Sequence, residues 1–433
     1  MTGVHEGAVA AAGPGNGRKD RPGPHAFAAR RVLTRLAADG LPVCFEDAAV
    51  LLDGARILDV GPRRRVLAGF SGPVEDLGPA TLMPGLVNAH THLELSRLRG
   101  LAPQGAGFVA WAAWLVRQDL CAPSPALLDA AVTELRRSGT GAVIDVGGRS
   151  GPAVVAALAR AQFPGLVCRE YFGFCPMPPG DVPAALDAAV SRAPLVRAAP
   201  SGHALYSTSP ENLRRARDAC LRRGAPFCLH LAEHAGEAEL LATGRGAFAE
   251  LLRGKVLPRD YRPPGRSPVA EAHTLGLLGP STLAVHGVWL DAADRTLLAA
   301  SGAAVCLCPR SNARIGVGTA DVPALVAAGV PLCLGTDSLA SNDDLDLWNE
   351  VRALWVAHPD VPARIVLAAL TAVPARLLGR EGVLGVLAPG ACGGVAVVPA
   401  DLDARLLPRV RPRRRISAPC LGDDEVSRGT PGG

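Results

Sequence analysis

The sequence predicts an α/β protein, a (β/α)8 (TIM) barrel with a small β-sandwich domain formed by both termini. Two observations predict this. First, eight short apolar runs recur through the middle of the chain, at 85–92, 141–147, 165–174, 195–203, 226–233, 281–287, 302–312 and 331–338. Each run ends in polar residues, and helix-like stretches separate them. Runs that are apolar on both faces describe parallel strands covered on both sides, and eight is the number that closes such a barrel. Second, β-like stretches broken by turns flank this middle at both ends.

Taken in order, residues 1–26 read as a disordered leader. From 27 to 82 come PVCFEDAAVLL, ARILDVG and a stretch punctuated by Gly and Pro; a further β-like stretch, GVLGVLAPGACGGVAVVP, occupies 382–399. Residues 27–82 and 382–415 are therefore assigned to the small β domain, 83–381 to the barrel and 416–433 to a disordered tail. Between the apolar runs, SPENLRRARDACLRRG opens on Ser-Pro and stops at Gly, as a helix should. Trp111 and Trp114, three apart in GFVAWAAWLV, read as helix core, with a substrate platform as the other reading.

Of the 433 residues, 48% are hydrophobic and 20% charged, as suits a globular enzyme with a large core. No apolar run reaches the roughly 20 residues that span a bilayer, and the N-terminus has no apolar signal region. A cytoplasmic protein without a membrane partner is expected. The net charge of +5 is carried almost wholly by arginine, since Lys19 and Lys255 are the only lysines. The basic run from Arg409 to Arg415 precedes a Gly-rich tail and reads as solvated chain, so no nucleic-acid partner is expected. The 11 cysteines include no C-x-x-C pair and read as reduced thiols.

The chemistry lies at the C-terminal tips of the runs, the face on which barrels of this kind carry their active sites. The tips hold His90 and His92, Asp145, Arg169, His203, His230 and Glu233, His286, Arg310 and Asn312, and Asp337. Five of the 10 histidines thus converge on one rim, which isolated core histidines would not do. Residues two apart on a strand share a face, so His90 and His92 aim together, and Glu94 has the same parity. With His230 and Asp337 they supply three nitrogens and one oxygen, a ligand set suited to a divalent ion that keeps one position for water. Glu94 then has no ligand position left and falls to the surroundings of the site. His286 sits beside the water, and Glu233 overhangs the substrate.

MPGLVNAHTHLE, HLAE, AVHG, CPRSN and LGTDSLASN, in this order, resemble the cytosine deaminase-like branch of the amidohydrolase superfamily, from about Phe45 to Val398. The resemblance implies that His90, His92, His230 and Asp337 bind the metal. It makes Glu233, His286 and Asp337 the catalytic proton handlers, and His203 a substrate contact. Relatives with two metals carry a bridging lysine at the end of the fourth strand. VRAAPSGHALYS has none, so one divalent ion is expected, zinc first and iron as the alternative.

The resemblance is strongest to a bacterial group associated with aminodeoxyfutalosine deamination in menaquinone biosynthesis. It implies hydrolytic deamination of an adenine-type nucleoside, a cyclic amidine, as a small-molecule substrate. Methylthioadenosine, adenosine, guanine or a triazine, in the last case with loss of chloride, are the alternatives. A catalytically silent structural barrel would have lost ligands that are all present here. A substrate carboxylate would favour a bidentate cation, which makes Arg310 a substrate-binding candidate beside His203 and Glu233, with a loop-holding salt bridge as its other reading. The insert at 255–269 is a candidate lid, with a passive surface loop as its other reading, and assembly into a homo-oligomer is left open. Gly393-Gly394 replaces the family's usual pattern in the last strand, which puts local stability of the small domain in question.

Overall fold

The computed structural model describes residues 23–119 and 123–407. The leader before residue 23, the basic run at 409–415 and the tail at 416–433 lie outside the described residues. The first strand starts at His25, inside the segment 1–26 expected as leader.

The eight apolar runs form eight parallel strands: Leu86–Thr91, Thr140–Gly147, Gly165–Tyr171, Val196–Gly202, Phe227–Leu231, Thr282–His286, Ala304–Leu307 and Leu332–Leu334. They are arranged as two four-stranded sheets, each in sequence order. The pairing ladders do not run on from one sheet to the other. Single parallel bridges, Thr91 with Asp337 and Ala204 with His230, join their edges. Asp337 N–H donates to His90 O (3.0 Å) and His230 N–H to His203 O (2.9 Å) at these two seams. At the first seam Asn88 also donates to Thr336 Oγ1 (2.8 Å) and accepts from Thr336 N–H (3.2 Å). Leu86, Ile144, Leu166, Leu229, Val305 and Leu334 from these strands share one buried apolar cluster.

The run at 302–312 is not one strand. Pairing ends at Leu307, and Pro309–Ile315 is a helix with proline in its first turn, where a missing N–H has no consequence. CPRSN therefore opens a helix at the strand tip.

The terminal segments build one six-stranded sheet. His25–Leu36, Pro42–Asp53 and Arg56–Pro62 pair antiparallel, while Val74–Asp76 and Thr81–Pro84 run parallel to the first of them. From the expected stretch at 382–399 only Val395–Val397 enters the sheet, against Thr81–Pro84. Ala400–Leu406, within the segment assigned to the small β domain, is a helix. Arg352 pins that helix through both oxygens of Asp401 at 2.8 Å.

The backbone of Gly393 requires glycine at positions 85 and 141. A Cβ on Gly85 would lie 2.0 Å from Gly393 O, and one on Gly141 would lie 1.8 Å from it. Three backbones meet here without room for a side chain, so the glycines permit the contact between terminal sheet and first two parallel strands.

Above the strand tips lies a second apolar layer. Phe108, Tyr206, Phe248, Leu257 and Ile315 cluster there, with Trp111 and Tyr261 packed at its edge. Trp111 thus packs as expected, and its Nε1 donates to Ala340 O (3.3 Å). The insert at 255–269 is folded down onto this layer through Leu257 and Tyr261. The described cysteines are free thiols, and no described helix is long and apolar enough to cross a membrane.

Candidate metal centre and active site

The first strand ends at Thr91, and a short 3-10 turn, Leu93–Leu98, begins at once. His90 and His92 point together: their Nε2 atoms are 3.0 Å apart and their rings 4.7 Å, edge to face. Asp337 Oδ1 lies 3.7 Å from His90 Nε2 and 3.5 Å from His92 Nε2. The His230 ring is 5.0 Å from that of His90 and stacks on that of His92 at 5.6 Å. Two ligands of a tetrahedral ion with bonds near 2.0–2.1 Å stand about 3.3 Å apart, so these spacings fit one small ion.

The tautomers also fit. His230 Nδ1 lies 2.9 Å from His203 O, which can only accept, so the proton is on Nδ1 and the lone pair on Nε2. Burial, and to a lesser degree neighbouring imidazoles, push the pKa values of His90 and His230 well below the ordinary range, which keeps both rings neutral. Ligand atoms of His90, His92 and Asp337 lie within 4.8 Å of one another, as do those of His90, His230 and His286 and those of Glu170, His203 and His230.

Beside this cluster His286 Nδ1 faces Asn312 Oδ1 (3.0 Å), which leaves Nε2 free toward Glu233 Oε1 at 3.6 Å. Burial, with Asp337 and Glu237 adding negative charge, raises the Glu233 pKa well above the carboxylate range, so it keeps its proton. Glu237 holds the preceding turn by accepting from Glu233 N–H (2.9 Å). Ala232, His286 and Asp337 all have positive φ, 54°, 78° and 57°. Non-glycine residues there cost about 1–3 kcal/mol each, and all three belong to the strand tips that carry Glu233, His286 and Asp337.

Glu94 turns away to brace a loop, accepting from Gly148 N–H (2.5 Å) and Ser150 N–H (3.1 Å), while Asp145 accepts from Leu93 N–H (2.7 Å). His203 lies with its ring 5.1 Å from His230 and its Nδ1 2.5 Å from Ser207 Oγ. Burial lowers its pKa to about 3. Arg310, the expected carboxylate clamp, has its guanidinium held by Asp344 (2.5 Å) and near Asp343 (3.7 Å) and Glu350 (3.9 Å). Its loop-holding reading is the one these distances match.

Sequence reading passed over Glu170. Its carboxylate is buried, its Oε1 has no hydrogen-bond partner and lies 3.7 Å from His230 Nδ1, and desolvation raises its pKa to about 7. Strand parity could have found it, since it alternates with Arg169 at the same tip.

Residues 81–404 match the amidohydrolase family. A curated 5-methylthioadenosine/S-adenosylhomocysteine deaminase of Syntrophobacter fumaroxidans is 34% identical over 376 residues, 82% of this chain and 80% of that one. An aminodeoxyfutalosine deaminase of Deinococcus radiodurans is 30% identical, over 76% of this chain and 81% of that one. Among solved structures, a zinc-bound adenosine deaminase of Xanthomonas campestris is similar, with 28% identity and a TM-score of 0.68 over 90% of this chain and 88% of that one. The chain belongs to the amidohydrolase family and is a hydrolase of carbon–nitrogen bonds other than peptide bonds, a deaminase.

Proposed function

We propose that this enzyme removes the amino group of an adenine-type nucleoside by hydrolysis at a single divalent ion, zinc, and that aminodeoxyfutalosine, a precursor in menaquinone biosynthesis, is its substrate. One observation carries the reading. The imidazoles of His90, His92 and His230 and the Asp337 carboxylate converge, with His286 and a protonated Glu233 beside them. His90, His92, His230 and Asp337 would hold the ion. When bound, it supplies Lewis acidity that brings the pKa of a water from 15.7 toward about 7.

Adding water at the amino-bearing ring carbon requires that one proton leave the water and another reach the adjacent ring nitrogen. Asp337 Oδ1 is the acceptor of the first proton. Neutral His286 orients the water through Nε2. Glu233 donates the second proton, and a carboxyl kept protonated by burial is suited to that task. The proton taken up by Asp337 passes to the amino group, which departs as ammonia, and the remaining hydroxyl proton goes back to Glu233 as the ring carbonyl forms. His203 contacts the purine edge. Arg310 keeps only its part in holding the seventh tip.

We also read the two four-stranded sheets as halves of one (β/α)8 barrel spanning 83–381, with 27–82 and 382–415 as the small β-sandwich domain. The two seam bridges support the first part of that reading. Methylthioadenosine is the second substrate reading, favoured by the name of the Syntrophobacter relative.

The test measures ammonia released side by side from aminodeoxyfutalosine, methylthioadenosine, S-adenosylhomocysteine, adenosine, guanine and cytosine. The highest kcat/KM should fall on aminodeoxyfutalosine. A preference for methylthioadenosine would replace the substrate assignment, and activity on none of the nucleosides would sink the reading.

A further inference from the structure

We propose that the Ser311–Asn312 pair, in the first turn of helix Pro309–Ile315, is a double positioning device, in which Ser311 orients Asp337 toward the metal and Asn312 sets the tautomer of His286. It rests on the functional reading above. The two residues are buried and adjacent in sequence, yet each bonds a different member of the site. Ser311 Oγ donates to Asp337 Oδ2 at 2.5 Å, the length of a hydroxyl bond to a charged carboxylate. Asn312 Oδ1 accepts from His286 Nδ1 at 3.0 Å.

Ser341 extends the first contact. Its Oγ lies 2.8 Å from Ser311 Oγ and 3.0 Å from Asp337 Oδ2, and Ser338 Oγ is 3.1 Å further on. Each hydroxyl carries one proton. With Ser311 and Ser341 each giving that proton to Asp337 Oδ2, the contact between the two serine oxygens carries no proton from either. Both lone-pair directions of Oδ2 are thereby engaged, and Oδ1 alone is left to face His90 and His92.

The turn itself is anchored. Glu350, fully buried, accepts from Arg310 N–H (3.0 Å) through one oxygen and from Asn342 Nδ2 (2.7 Å) through the other. Asn342 also donates to Thr336 O (2.8 Å). One carboxyl thus joins the turn carrying Ser311 and Asn312 to the segment carrying Ser341, on either side of Asp337. Asp337 has a positive φ, so its direction has to be imposed by its surroundings.

The device predicts crossed effects. Removing an outer hydrogen bond to a metal ligand typically weakens metal affinity 10–100-fold. In Ser311→Ala, zinc affinity from competition with a chromogenic chelator should fall by about 10-fold or more. In Asn312→Ala, zinc affinity should stay within about twofold of wild type, while kcat falls roughly 10–100-fold with KM little changed. Asn312→Asp, which keeps an acceptor oxygen, should recover most of that kcat.

A turn that merely loosened would move both readouts in both variants, and that outcome overturns the proposal, as does wild-type zinc affinity in Ser311→Ala. Circular dichroism and thermal melting of the zinc-free proteins establish that each variant is folded. Should Ser311→Ala not fold, Ser311→Cys, with its weaker donor, takes its place under the same two criteria. Wild-type protein that binds no zinc overturns the functional reading and this proposal with it. Wild type that binds zinc while the crossed pattern is missing overturns this proposal alone.

Discussion

Glu233 Oε1 lies 3.6 Å from His286 Nε2, both side chains buried at the tips of the neighbouring strands Phe227–Leu231 and Thr282–His286. In the proposed reaction, a proton donor and a neutral acceptor so placed would handle its two sides. Glu233→Gln keeps the shape and removes the acid. Its kcat should fall by roughly 10²–10⁴-fold, with zinc content equal to wild type by elemental analysis. Near-normal kcat would remove Glu233 from the chemistry.

His230 completes the candidate ligand set from the second sheet. His230→Ala should purify with little metal and without activity. Chelation should inactivate the wild type, and added zinc should restore it. Zinc binds only the folded site, so it should also raise stability by about 2.7 kcal/mol at 100 times its dissociation constant. A melting temperature indifferent to zinc would contradict a preformed site.

Glu350 offers a pH test away from the ligands. Desolvation raises its pKa to about 8, against the opposing pull of its hydrogen bonds and Arg310. In the unfolded chain it titrates near 4.3. The native state therefore holds this proton more tightly, and its stabilising effect is complete at low pH and lost as pH rises toward 8. Stability measured by urea unfolding should fall in wild type relative to Glu350→Gln across pH 5–8, by up to about 1.4 kcal/mol per pH unit. A difference between the two proteins that is constant with pH would rule this out.

Gly141 tests the close backbone approach. An added methyl group must displace Gly393 O, and such overpacking costs about 1–3 kcal/mol or more. Gly141→Ala should melt several degrees below wild type or fail to accumulate as folded protein. An unchanged melting temperature would mean that the three backbones part easily.

Much of the fold was legible because its signals are local. Apolar runs with polar tips mark strands wherever they occur, and all eight were found with ends shifted by a few residues. The errors fell where local pattern and pairing diverge. GVLGVLAPGACGG is apolar enough for a strand, yet before Val395 it meets the sheet through separate backbone hydrogen bonds to Thr34 and Ile57 and not through a strand ladder. CPRSN continued an apolar run, but Pro309 starts a helix there.

By itself, the sequence determined which side chains are available at each strand tip and, through the period of two, that His90 and His92 share a direction. Tertiary structure alone decided how the tips meet. Thr91 pairs with Asp337 across 246 residues of chain. The tertiary fold also brings Ser311 to Asp337, ties Arg310 to Asp344, and places Glu170 beside His230 and Glu233 beside His286. Desolvation and hydrogen bonding act through space, so protonation states and the division between ligand, acid and brace depend on neighbours that no local spacing specifies.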